Sequence, residues 1–249
     1  MNTPLPSVAL SGLPVVSSPK EAIAAVASMG SRAIQLDAAR TGLRPRELDR
    51  SARRDLGASM RRAELEFSGL DLWIPSHHFV DPEKSDRAIG ATVAALELAA
   101  ELAGLAGGAA IVAVMLPGEL LDSERTALDA SAAGFGAVLA DHAWPEVEAG
   151  IQGGIRPGLD SAAVIMAGDD PVASAGRGFA AARVSDLSAR GPCVPGDPSG
   201  RLELDGYLIA MGVAGTAKHA VIDPRGLAEP ELGVRATLER WPAGFTLPG

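Results

Sequence analysis

The chain has 249 residues, 47% of them hydrophobic and 21% charged, with a formal net charge of −9. That length suits one α/β barrel of about 250 residues, and the negative charge argues against a phosphate-backbone partner, so no nucleic acid is expected. A single cysteine, Cys193, excludes an intrachain disulfide and a cysteine-based zinc site, and it fits a reducing, cytoplasmic setting.

The opening segment MNTPLPSVAL lacks the charged start and long apolar core of a secretory signal, so it is expected to be mature sequence. Its first strand is Ser7 to Leu10. Ser18-Pro19 then supplies an N-cap and a first-turn proline, Ile23, Val26 and Ala27 form an apolar stripe, and Gly30 ends the helix. After a second strand, Ala33 to Asp37, the spacing of Leu48, Ala52, Leu56 and Met60 predicts a helix within Arg44 to Glu64. Nine arginines fall between Arg32 and Arg62, and helical spacing disperses them over a solvated outer face.

The third strand, Glu66 to Ile74, runs into Pro75 and the pair His77-His78. Adjacent side chains on an extended segment point to opposite sides, so at most one of these histidines is expected to meet a substrate. Asp81-Pro82-Glu83 opens a helix to about Ala103, followed by a fourth strand, Ala109 to Leu116. The apolar stretch from Ala91 to Leu116 imitates a membrane span, but Glu97 and Glu101 interrupt it and Gly107-Gly108 divides it. It reads as a buried helix, a turn and a buried strand, with no membrane partner.

Asp122 to Ala133 is helical, Ala137 to Ala140 and Gly158 to Val164 are strands five and six, and Gly168-Asp169-Asp170-Pro171 reads as capping chemistry rather than a metal loop. Strand seven is Ala181 to Asp186, a helix follows over Leu204 to Met211, strand eight is His219 to Asp223, and Leu227 to Trp241 is the last helix. Continuous apolar strands alternating with helices predict a parallel sheet covered on both faces. Eight repeats favour closure, and no nucleotide-binding glycine motif marks any strand-to-helix turn. The prediction is a single (β/α)8 TIM barrel over 1–249, with shortened fifth and sixth units.

In such a barrel the site lies at the C-terminal ends of the strands. Polar residues there are Asp37, Asp71, His77, His78, Asp141, His142, Asp160, Arg183, Asp186, Asp223 and Arg225. Arginine forks suit anions and carboxylates suit hydroxyls, which points to a small polyhydroxylated or phosphorylated molecule. Trp73 and Trp144 lie near mouth loops and are candidates for stacking on a sugar, whereas Trp241 is expected to pack. Cys193, in GPCVPGDPSG, has no activating base beside it and is not expected to be a nucleophile.

Four stretches, SRAIQLDA, SDRAIGATVAALELAAELAG, LDSAAVIMAGDDPV and GDPSGRLELDGYLIAMGVAGTAKHAVIDPRG, together resemble the xylose-isomerase-like TIM-barrel family of sugar-phosphate isomerases and epimerases. The resemblance implies one divalent metal held by a glutamate on strand five, an aspartate on strand six, a histidine on strand seven and a glutamate on strand eight. The metal would polarise a carbonyl while a carboxylate moves a proton. Here the strand-five motif Glu-Asn-His reads Ala140-Asp141-His142, strand six keeps Asp160 but has Ala163 in place of a histidine, Arg183 stands for the strand-seven ligand, and Asp223 replaces the last glutamate. A guanidinium has no lone pair for a metal and would repel it, pairing instead with Asp160 or Asp223.

The resulting expectation is a sugar or sugar-phosphate isomerase or epimerase relative with its metal chemistry lost or altered. Asp160, Asp223 and His142 would be its catalytic centre, and Arg183, His77, His78, Asp37, Asp141, Trp144 and Arg225 would bind the carbohydrate or sugar phosphate. No cofactor is expected, the alternative being one Mn, Mg or Zn ion. The competing reading is a non-catalytic barrel that binds a small metabolite or a protein partner. The endonuclease branch of this fold needs many histidines, and the chain has four. A homodimer through outer helices is implied by the resemblance alone.

Overall fold

Short apolar strands with no polar face cannot stay exposed on either side, so they must be ringed by helices. A computed structural model shows that ring, describing residues 3–14, 18–145, 153–215 and 217–242. Strands β1 (Leu5–Ala9), β2 (Ala33–Asp37), β3 (Glu66–Asp71), β4 (Ile111–Val114), β5 (Val138–Asp141), β6 (Ile155–Asp160) and β7 (Ala181–Val184) run in sequence around a closed barrel. The eighth barrel strand is β10 (His219–Ile222), which pairs in parallel with both β7 and β1. Between β7 and β10 lies a two-stranded antiparallel hairpin, β8 (Asp186–Ser188) and β9 (Gly191–Cys193).

The helices form where caps and apolar stripes coincide. Ser18 caps α1 (Pro19–Ser28), its hydroxyl accepting the Glu21 amide. Helix α2 (Arg50–Arg62) begins later than its apolar spacing implies, because Asp49 caps it and Pro45–Glu47 forms a separate 3₁₀ turn. Helix α3 (Ser85–Ala106) is long and apolar enough to cross a membrane by length and composition. In the fold it instead buries Ala95, Leu96, Leu98, Ala99 and Leu102, and it packs on α2, α4 (Asp122–Phe135) and β3. The remaining helices are α5 (Ser161–Ala167), α6 (Pro171–Ala175), α7 (Leu204–Ala214) and α8 (Pro230–Arg240).

Several boundaries differ from the sequence reading, two of them next to the barrel mouth. Strand six ends at Asp160, because the Asp160 carboxylate accepts the Ala162 amide and caps α5, so Ser161 to Val164 are helical. Asp186 leaves the barrel and starts the β8–β9 hairpin. The connection after strand five, where a shortened unit was expected, includes residues 146–152 and so lies partly outside the described residues.

Two apolar clusters fill the space between barrel and helices. The larger joins β1 to β5 with α1 to α4, around Phe67, Leu70, Leu96 and Met60. The smaller joins β6 and β7 with α5 to α7, around Leu159, Phe179, Tyr207 and Leu208. At the entry to β4, Gly108 has a φ of +112°, and an added Cβ would lie 1.9 Å from the Phe67 carbonyl oxygen. Gly104, on the outer face of α3, would meet nothing within 4 Å. Gly108→Ala is therefore expected to lower unfolding free energy by at least about 2 kcal/mol, combining positive-φ strain with a backbone clash. Gly104→Ala should raise it by about 0.5–1 kcal/mol through helix propensity. Urea unfolding of the two variants checks the pair, and equal effects would contradict the close approach of Gly108 to β3.

Candidate active site at the barrel mouth

The C-terminal ends of β3, β6, β7 and β10 bring Asp71, Asp160, Arg183, Asp223 and Arg225 into one charged chain. Arg183, at 7% exposure, donates from Nη2 to Asp71 Oδ1, and its Nη1 lies 4.0 Å from Asp160 Oδ2. Arg225 donates Nε to both oxygens of Asp223 at 2.9 Å, and its Nη1 is 3.4 Å from Asp71 Oδ2. Ser11, just past β1, donates its hydroxyl to the same Asp71 Oδ2 at 2.6 Å. Asp71 is only 2% exposed and serves both guanidinium groups. The order is Asp160–Arg183–Asp71–Arg225–Asp223, with three carboxylates facing two guanidinium groups.

Among these carboxylates Asp160 has the freer oxygen. Its Oδ1 accepts from the Ala162 amide at 3.0 Å and from the Ser185 hydroxyl at 2.7 Å, leaving Oδ2 with only the distant Arg183 contact. Arg225 is pulled down by burial, yet the Asp223 hydrogen bonds and charge, with Asp71 and Asp160 behind them, raise its pKa above the ordinary arginine value. Both guanidinium groups stay charged at any working pH.

His142 lies inside this charged ring, on the residue after β5. It is 1% exposed, and neither ring nitrogen has a hydrogen bond of full geometry. Burial, then the charges of Arg183 and Arg225, hold its pKa well below the ordinary imidazole value, against a smaller upward pull from the Leu159 backbone. The ring is neutral near pH 7. It rests on the backbone of β6 at Gly158, where an added Cβ would sit 2.7 Å from Cδ2.

Other residues picked from the sequence are placed elsewhere. Asp141 accepts the Leu116 and Ala143 amides at 3.0 and 3.1 Å and so fastens the β4 and β5 exit loops, with burial raising its pKa. Asp37, at the end of β2, accepts the Ala39 amide at 2.9 Å, and burial followed by the nearby Asp71 charge raises its pKa despite the Ala39 bond and Arg40. Asp186 binds the Arg201 and Leu202 amides, fixing the chain after the hairpin. Trp144 donates its indole N–H to Asp169 at 3.0 Å and packs against the smaller core cluster, while Trp241 donates to the Pro4 carbonyl. Asp170 caps α6, as its sequence position implies.

His77 and His78 do not sit on an extended segment. They occupy a 3₁₀ turn, Ser76–Phe79, closed by the His78 amide on the Pro75 carbonyl at 2.8 Å, and their rings meet edge to face at 4.5 Å. His77 is exposed, and His78 faces a groove on the flank of the barrel. Cys193 is held mainly by burial at a pKa of about 11, well above a reactive thiol.

Asp71 is the residue that sequence inspection underrated. It stood among the polar strand ends but carried no role there, and its partners Arg183 and Ser11 are 112 and 60 residues away. Arg183 also differs from expectation: its direct partner is Asp71, and Asp160 is more remote.

The fold can be placed among solved structures. A xylose isomerase domain protein from Planctomyces limnophilus superposes with a TM-score of 0.69 at 13% identity, covering 96% of each chain. The shared architecture is the xylose-isomerase-like barrel. The apo 3-keto-D-glucoside 4-epimerase from E. coli gives a TM-score of 0.71 at 12% identity, over 95% of this chain and 98% of that one. IolI, solved with a bound zinc atom, gives 0.69 at 14% identity over 96% of both chains. No protein-family model matches the chain, and neither does any curated protein sequence.

The xylose-isomerase-like resemblance implies a divalent ion held at four positions of this mouth. The four corresponding positions hold a buried alanine methyl (Ala140), two carboxylates already facing guanidinium groups (Asp160 and Asp223), and Arg183 itself. Among the described residues no group of three or more His, Cys, Asp or Glu side chains is arranged to hold a metal ion.

Removing the Asp71 charge would leave two buried or half-buried guanidinium groups short of a partner. Asp71→Asn is expected to cost about 3–5 kcal/mol, as for other broken buried pairs, read by urea unfolding. A cost below about 1 kcal/mol, the range of a surface pair, would mean the two arginines are not held by Asp71.

His142 gives a pH signature. Its folded pKa is depressed, so the unfolded chain binds the proton more tightly: full stability holds above the unfolded value near 6.5 and is lost as pH falls from there towards the folded pKa. His219, also depressed, mainly by burial, acts in the same direction and stays in place as an internal reference. Replacing His142 with Gln should flatten the dependence of stability on pH below about 6.5 by up to one proton, or about 1.4 kcal/mol per pH unit. Parallel curves for parent and variant would show that the imidazole is not buried neutral.

Proposed function

We propose that the barrel mouth binds a small polyhydroxylated molecule, a sugar or sugar phosphate, and that any isomerase or epimerase step on it proceeds without a resident divalent cation. The observation that carries this reading is the Arg183 guanidinium, buried and bonded to Asp71 beside Asp160 at the mouth. A fixed cationic fork there offers what a metal would otherwise supply, a positive charge towards a carbonyl or an anionic group. The sugar epimerases that share the fold support the substrate class.

In this scheme Arg183 and Arg225 orient the ligand's oxygens by charge-assisted hydrogen bonds. Asp160 Oδ2, the least engaged carboxylate oxygen, takes the proton from the carbon next to a carbonyl. The neutral His142 ring, buried against the β6 backbone, closes the floor beneath the ligand.

Solvent deuterium exchange into ketopentoses, ketohexoses and their phosphates, followed by NMR with EDTA present, tests the reading. At least one compound should raise the melting temperature and exchange the hydrogen beside its carbonyl. Asp160→Asn should abolish exchange by at least about 100-fold, the usual scale of a lost general base, while retaining binding. Binding without exchange would reduce the protein to a ligand-binding barrel. A stoichiometric divalent ion that survives dialysis, and is lost in Asp160→Asn or Asp223→Asn, would overturn the metal-free part.

A further inference from the structure

The exit loops of β2 and β3 carry a second groove whose lining shares no residue with the charged chain of Asp71, Asp160, Arg183, Asp223 and Arg225. A groove of about 690 Å³ lies between the loop after β2, the loop after β3 and the first three turns of α3. Its volume is within the range of small-molecule pockets, about 300–1,000 Å³. Arg44, Arg46, His78, Lys84 and Arg87 line it together with Trp73, and no carboxylate is among its lining residues.

Four cationic side chains on one wall set, Arg44, Arg46, Lys84 and Arg87, are unexpected in a chain of net charge −9. Two of them have acidic partners just outside: Arg44 with Glu47 at 3.1 Å and Lys84 with Asp81 at 2.7 Å. Arg46 and Arg87 make no ion pair or side-chain hydrogen bond among the described residues, and both are exposed. This contrasts with the mouth, where each guanidinium has a carboxylate of its own. The rest of the groove is apolar: Leu72 and Ile74 on one side, Ala88, Ala91 and Ala94 along α3, and the Trp73 ring, which is 65% exposed at the rim. An exposed tryptophan beside unpaired guanidinium groups offers a flat surface and an anion clamp in the same cavity.

From this arrangement we infer that the groove is a binding site for a small anionic amphiphile, a molecule with a phosphate or carboxylate head and a flat apolar body. Arg46 and Arg87 take the head, and Trp73 with the alanine face of α3 takes the body. The small α3 residues matter because they leave room that larger side chains would fill. None of the residues of the charged chain lines the groove, and its test is independent of whether the mouth turns over a sugar.

Phenyl phosphate is a direct probe, titrated into the full chain while Trp fluorescence is followed, with phenol and inorganic phosphate as the two half-ligands. Saturable quenching by phenyl phosphate is expected, weakening with added salt, and each half-ligand should bind at least about tenfold more weakly. The double variant Arg46→Ala/Arg87→Ala removes two exposed charges without touching the core and should weaken binding by about tenfold or more. Trp73→Leu should remove the quench. The inference is overturned if phenyl phosphate gives no saturable signal, if the double variant binds like the parent, if either half-ligand binds equally well, or if the quench survives Trp73→Leu.

Discussion

A single buried carboxylate organises the mouth of this barrel. Asp71 ends β3 with almost no solvent contact, yet it receives a hydroxyl from β1's exit, a guanidinium from β7 and another from just beyond β10. Burying a charge is costly unless it is paired and hydrogen-bonded. Each of these partners comes from a different strand, so satisfying Asp71 requires the strands to close in the correct order. The interaction fixes the geometry of the face where ligands meet a (β/α)8 barrel.

Much of the barrel was legible because its signals are local. The second strand ran from Ala33 to Asp37 in sequence and does so in the structure, and α4 and α7 begin at Asp122 and Leu204 as their patterns imply. Strand six was misjudged for a local reason too. The apolar run Ala162-Ala163-Val164 resumes two residues after Leu159, and periodicity alone does not separate a buried strand from a short buried helix. The carboxylate of Asp160 decides it by capping α5. The β8–β9 hairpin was missed because Gly191-Pro192-Cys193 has little strand propensity, and the chain around it is held by Asp186 binding amides fifteen and sixteen residues away.

The mouth was legible as a list but not as a circuit. Sequence inspection gathered its acids and arginines because strand ends are predictable, whereas who pairs with whom depends on closure of the barrel. Arg183 was assigned to Asp160 or Asp223 because the family resemblance grouped the three as metal-ligand positions. It reaches across to Asp71, 112 residues earlier, because the side chains of β3 and β7 meet inside the ring. The histidine pair illustrates the opposite failure. An extended segment was assumed after Pro75, and the chain instead makes a 3₁₀ turn, Ser76–Phe79, that brings the two rings edge to face.

Two kinds of cation thus coexist on one acidic molecule, and their surroundings separate their tasks. At the mouth, Arg183 and Arg225 are held in place by carboxylates, three facing two guanidinium groups, so their N–H donors are oriented. In the groove, Arg46 and Arg87 make no such ion pair among the described residues, and the field of exposed charges is screened by solvent and salt. The β2 and β3 exit loops join the two regions: Asp37 and Asp71 face the mouth, while the residues directly after them, Ala38 and Leu72, line the groove. The Ala38 amide is hydrogen-bonded to the Asp71 carbonyl and Leu72 follows Asp71 in the chain, so the wall of the groove and the central carboxylate of the mouth share one stretch of backbone.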